Sequence, residues 1–174
     1  MKILITYYSR TGTTKAVAEL ITRELRADID EVVDLEERLG PVNYMRAARA
    51  AKGLKTTRIT YSKNPEDYDL ILLGTPVWWS NLPPAPRTYL SSFNFKNKKI
   101  AFFITSQSED RENVFNQLRE LTEGADIVGT LGVLQKDVKR ASYSEMVARF
   151  LDTLGVQSAV ASPPSQVAKI SQHY

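Results

Sequence analysis

The chain has no cysteine, and its single histidine, His173, stands next to the C-terminus. Without thiols there is no disulfide, no thiolate nucleophile and no cysteine-held iron–sulfur cluster. A zinc site would have to be built almost wholly from carboxylates, against the usual preference for Cys and His. Long apolar runs are missing too, since none approaches the ~20 residues needed to span a bilayer. The opening Met1-Lys2-Ile3-Leu4-Ile5-Thr6-Tyr7-Tyr8 has one charged side chain, lacks a small-residue cleavage pattern and runs straight into a turn. It reads as a first strand rather than a secretory leader. Nor is there an excess of one charge: 23 bases against 20 acids give a net +3, no nucleic-acid footprint. These absences predict a cytoplasmic protein with no metal, no membrane and no nucleic-acid partner.

What is present is an ordinary globular composition, 43% hydrophobic and 25% charged over 174 residues, enough for one domain and one core. Charge is unevenly spread. Glu24, Asp28, Asp30, Glu31, Asp34, Glu36 and Glu37 crowd one segment, with Arg26 alone against them. From Tyr44 to Lys63 the bases Arg46, Arg49, Lys52, Lys55, Arg58 and Lys63 meet no acid. Two readings stand: a solvated face pairing with its acidic neighbour, or a docking surface for a charged partner.

Strand and helix signals alternate. Strands are predicted at Lys2–Tyr8, Asp30–Leu35, Asp69–Gly74, Lys99–Thr105 and Ala125–Leu134. Helices are predicted at Thr13–Arg26, Tyr44–Leu54, Pro83–Phe93, Glu109–Glu123 and Ser142–Leu154. Gly124 reads as a helix C-cap, and Ser142 with Glu145 as a capping box. The strands at Asp69–Gly74 and Lys99–Thr105 are almost continuously apolar, the mark of a parallel sheet covered on both faces. Right-handed crossovers then predict an α/β, doubly wound, five-stranded parallel sheet of order 2-1-3-4-5. The domain is expected over 1–156, with 157–174, containing Ser162-Pro163-Pro164-Ser165, as a C-terminal tail.

Such a sheet binds its ligand outside the carboxyl ends of the strands. Three loops therefore carry the chemistry. The first, Ser9-Arg10-Thr11-Gly12-Thr13-Thr14, joins a strand to a helix. Helix N-terminal N–H groups favour an anion, Gly12 lets the backbone curl towards it, and Ser9, Thr11, Thr13 and Thr14 add hydroxyl donors. That set suits a terminal phosphate monoester; a plain Ser/Thr-capped turn is the alternative. A Walker A loop and a G-x-G-x-x-G fingerprint are excluded by the single glycine. A phospho-acceptor site is excluded because Tyr7, Tyr8 and Ser9 stand where carboxylates would be needed.

The second loop, Gly74 to Pro84, holds both tryptophans of the chain, Trp78 and Trp79, side by side. They offer a flat apolar wall to a planar ligand, with Ser80 and Asn81 at its polar edge; the alternative is a core or interface plug. The third loop, Thr105-Ser106-Gln107-Ser108-Glu109-Asp110, is polar, either an opposite wall or a helix cap.

Tyr8-Ser9-Arg10-Thr11-Gly12-Thr13-Thr14-Lys15 resembles the phosphate loop of flavodoxins, a T-x-T-G-x-T-like pattern with Ser9 in place of the first Thr. Thr75-Pro76-Val77-Trp78-Trp79 resembles their second flavin loop. The resemblance covers about residues 1–154 and is to the short-chain type. It implies FMN, with its phosphate on Ser9, Thr11, Gly12, Thr13 and Thr14 and with Arg10 as a further contact. The isoalloxazine would lie between Thr75, Pro76, Val77, Trp78 and Trp79 on one side and Ser106, Gln107 and Ser108 on the other. Electron transfer through FMN is the expected function, with a redox partner protein. A reductase using NAD(P)H and a quinone or free FMN is the alternative, and a flavin-free interaction module a third. A homodimer is compatible with each. The basic balance and the absence of an acidic-aromatic pattern in the third loop depart from carrier flavodoxins, and leave the partner open.

Overall fold

The computed structural model describes residues 1–36 and 55–156. The expected helix at Tyr44–Leu54 and the tail from Gln157 lie outside the described residues. The chain runs β1 (Ile3–Tyr7), α1 (Thr13–Leu25), β2 (Asp28–Glu31), β3 (Val33–Asp34) and β4 (Ile59–Thr60). It continues through β5 (Leu70–Pro76), α2 (Pro84–Ser91), β6 (Lys99–Ser106), α3 (Glu112–Leu121), β7 (Asp126–Leu134), α4 (Gln135–Lys139) and α5 (Ser144–Thr153). Five strands form one parallel sheet in the order β2-β1-β5-β6-β7, which is the expected 2-1-3-4-5 counted along the sheet.

The apolar runs explain this. In a strand, successive side chains point to opposite faces. Leu4, Ile71, Leu73, Ile100, Phe102 and Ile104 join one core with Tyr89 and Leu90 of α2 and Leu118 of α3. Ile5, Leu70, Leu72, Ala101 and Phe103 join the other with Val17 and Ile21 of α1 and Phe150 and Leu151 of α5. Each fully buried Leu, Ile or Phe contributes about 1.5–3 kcal/mol, so the two central strands dominate the stability. Gly74 is required where β5 passes β6: a Cβ there would lie 2.2 Å from the Phe103 ring.

Local departures from the sequence reading have physical reasons. The second sheet strand is Asp28–Glu31, not Asp30–Leu35; Val33–Asp34 turn away to pair antiparallel with Ile59–Thr60. The buried Asp30 carboxylate fixes that departure by accepting the N–H groups of Ser62 at 2.9 Å and Lys63 at 2.8 Å. The Ser142–Glu145 capping box does not form. Tyr143 is the N-cap of α5, and the Ser142 hydroxyl donates to Asp137 O instead. The helix expected from Glu109 begins at Glu112 and ends at a Thr122 cap, with left-handed Gly124 two residues beyond.

Candidate functional site

From β1 the chain crosses to one side of the sheet, and from β5 to the other. The loop that follows β1 therefore diverges from those that follow β5 and β6, leaving a crevice at the carboxyl ends of the strands.

The first loop ends at Gly12, with φ 83° and ψ −8°, the N-cap of α1. Its carbonyl accepts the Ala16 N–H at 3.0 Å, which starts the helix. No side chain caps α1 and no acid stands in its first turn, so its leading N–H groups face the crevice unclaimed by a cap. Thr11 and Thr13 hydroxyls lie 3.2 Å apart. Thr14 and Thr105 hydroxyls share a buried 2.8 Å bond that ties α1 to the end of β6. The Ser9 hydroxyl is buried with no hydrogen-bond partner.

The second loop turns sharply. Trp78 and Asn81 exchange backbone bonds of 3.0 and 2.9 Å, while Trp79 and Ser80 between them are left-handed, with φ of 51° and 56°. Trp78 packs edge-on to Tyr8 at 5.7 Å, with the Arg10 guanidinium 5.7 Å from its ring. Trp79 is 65% exposed, so the two tryptophans have separate tasks. Trp78 joins the first and second loops, and Trp79 stands at the rim. In the third loop the Ser106 hydroxyl donates to Ser108 O at 2.5 Å and accepts from Arg111 Nε at 2.8 Å. Val77 N–H bonds Thr105 O at 2.8 Å, joining the second and third loops.

These loops enclose a cleft of about 400 Å³, within the size range of small-molecule sites. Ser9, Arg10, Thr11, Thr13 and Thr14 line one end; Pro76, Val77, Trp78 and Trp79 line one wall; Ser106, Gln107 and Ser108 line another. Two expected site residues are not on its surface. Gly12 acts through its backbone at the helix start, and Thr75 is fully buried in β5, its hydroxyl donating to Pro76 O. Ser80, Thr105 and Gln135 also line the cleft. Ser80 and Thr105 lie in the loops already singled out. Gln135 was missed; its one signal is its place just past the carboxyl end of the fifth sheet strand.

Of the basic segment, Arg58 pairs with Glu36 at 3.1 Å on the surface. Arg46, Arg49 and Lys52 lie outside the described residues. Among the described residues no cluster of His, Asp and Glu is disposed to hold a metal, and no helix is long and apolar enough to cross a membrane.

A flavodoxin family model matches residues 2–149. The chain belongs to the flavodoxin family. Within that family it is 27% identical over 139 residues to flavodoxin 1 of Salmonella typhimurium, covering 72% of this chain and 64% of the relative. It thus spans a little under two thirds of the length of such relatives. Among solved structures, a flavoprotein from Lactobacillus acidophilus in complex with FMN matches with a TM-score of 0.67 and 27% identity. That match covers 80% of this chain and 97% of that one. The apo form of the flavoprotein from the same organism, solved by NMR, matches with a TM-score of 0.62 and 26% identity over 75% of this chain and 91% of that one.

Proposed function

We propose that this cleft binds FMN and that the protein is an electron carrier acting through it. The observation that carries the reading is the Ser9 hydroxyl, buried and unpartnered in the loop that leads into the uncapped N-terminus of α1. A buried orphan hydroxyl is unfavourable by about 1–3 kcal/mol until something accepts from it. A phosphate monoester does so, and the α1 N–H groups and the hydroxyls of Thr11 and Thr13 suit its remaining oxygens. The absence of any carboxylate between Ser9 and Lys15 leaves the first loop without a competing negative charge.

The walls match the rest of the ligand. Val77, Trp78 and Trp79 offer apolar and aromatic surface to a flat ring system. Ser106, Gln107 and Ser108 offer hydroxyl, amide and backbone groups to its polar edge. FMN supplies the one- and two-electron chemistry; the protein binds it, orients it and limits its contact with water. Apolar walls disfavour negative charge on a reduced ring and so lower its potential, while Arg10 beside Trp78 opposes that.

Reduction of the FMN-loaded protein tests the redox role. A carrier passes electrons from a chemical reductant to an acceptor protein such as cytochrome c and shows no turnover with NAD(P)H. Sustained turnover with NAD(P)H and a quinone would replace the carrier reading with that of a reductase.

A further inference from the structure

The most strained element of the cleft is the Trp78–Asn81 turn. Trp79 and Ser80 are both left-handed, at φ 51° and 56°. Bulky residues are rarely found there, because the Cβ crowds the following carbonyl. Two such residues in succession form the mirror-image turn that ordinarily carries Asn and Gly. Nothing in a Trp-Ser pair favours it, so its surroundings must hold it.

Three side-chain amides do so. Asn81 Nδ2 donates to Trp79 O at 2.7 Å, and Asn113 Nδ2 donates to Ser80 O at 2.6 Å. The carbonyl of each left-handed residue is therefore held by an amide. Asn81 Oδ1 in turn accepts from Gln117 Nε2 at 2.9 Å and from Asn113 Nδ2 at 3.3 Å. Gln117 Oε1 accepts from Arg87 Nη2 at 2.7 Å and from the Leu82 N–H at 3.2 Å. Arg87 is buried in α2, its Nη2 also donating to Leu82 O and its Nε left without a partner. A buried cation so placed fixes which end of the Gln117 amide faces it, and hence which end faces Asn81. The chain of bonds runs from the α2–α3 interface to the rim of the cleft.

We propose that Gln117 and Asn113 of α3, anchored on Arg87, are positioning residues that hold the Trp79–Ser80 turn left-handed and so preset Trp79 for the flavin. The last part of this rests on the FMN reading above. The residues touch the turn and do not line the cleft, and their effect is conformational.

Two variants separate positioning from bulk structure. Gln117→Glu keeps oxygens for Arg87 and the Leu82 N–H but cannot donate to Asn81. Asn113→Ala removes the donor to Ser80 O from an exposed position, so the fold survives it. Both should retain their circular dichroism and bind FMN about tenfold more weakly, the fold-change equivalent of one left-handed residue. In a Trp78→Phe background, the emission of the remaining Trp79 should shift in the apoprotein. Adding Ser80→Gly to Asn113→Ala should restore most of the affinity and the emission, because glycine adopts this φ without steric penalty. Variants equal to the parent in affinity and emission would overturn the proposal, as would losses that Ser80→Gly does not reverse. Should the parent fail to bind FMN while the emission shift and its reversal still occur, the positioning role stands and the flavin reading falls.

Discussion

The hydroxyls of Thr14 and Thr105 meet at 2.8 Å in the buried floor of the cleft, joining residues 91 positions apart in the chain. Thr14 lies in the first turn of α1 and Thr105 next to the last residue of β6, so one bond locks the first loop to the third. Replacing one partner leaves the other as a buried unpaired hydroxyl. Thr14→Val should therefore destabilise the apoprotein by about 1–3 kcal/mol in urea unfolding, while the double variant Thr14→Val/Thr105→Val should lie closer to the parent. Equal loss in single and double variants would show that the bond is not what joins the loops.

Gly12 has open space where a Cβ would go, so a substitution there meets only the demand of its φ of 83°. Gly12→Ala should destabilise by about 1–2 kcal/mol. It should also tilt the first turn of α1, weakening binding of FMN and leaving binding of riboflavin, which has no phosphate, unchanged. Titration of both ligands checks this.

Trp79 is exposed and left-handed, so under the proposed flavin reading its strain serves the ligand rather than the free protein. Trp79→Gly should raise apoprotein stability by about 1 kcal/mol, because the left-handed conformation becomes easy and little packing is lost. The same change should weaken FMN binding. A fall in the urea midpoint would mean that Trp79 packing outweighs its strain. Trp78→Ala should differ, lowering stability through lost contact with Tyr8 and Arg10.

Much of this was legible in the residues and some was not. The apolar runs of β5 and β6 specified a parallel sheet, and the position of the loops at its carboxyl ends brought the expected residues together. Gln135 escaped because the fifth strand's exit was not counted among the loops. The left-handed turn escaped because its usual markers are missing: Trp and Ser occupy the central positions, and of the three amides that hold them only Asn81 is local, while Asn113 and Gln117 come from α3, over 30 positions away. Asp30 lies in a strand as expected, but that strand ends at Glu31 rather than Leu35, and the Asp30 carboxylate anchors the backbone of residues 62 and 63, a long-range contact that no local pattern encodes.

Alkaline stability should depend on Tyr68. Burial first, and then the hydrogen bond its hydroxyl donates to Asp28 at 2.7 Å, push it from 10.0 up to about 12. The fold thus favours the neutral phenol. Its contribution is intact below pH 10.0 and is lost as pH rises through about 12. Tyr68→Phe should flatten the loss of stability across that window, measured by urea unfolding at stepped pH. An unchanged slope would place the alkaline transition elsewhere.

The proposed flavin site depends on the first loop holding the phosphate monoester. Titrating the apoprotein with FMN and with riboflavin, by quenching of flavin fluorescence, tests it most directly. Two or more charge-assisted bonds to the phosphate predict FMN binding tighter than riboflavin by at least about a hundredfold, with Ser9→Ala narrowing the gap. Equal affinity for the two ligands, or none for either, would contradict the account.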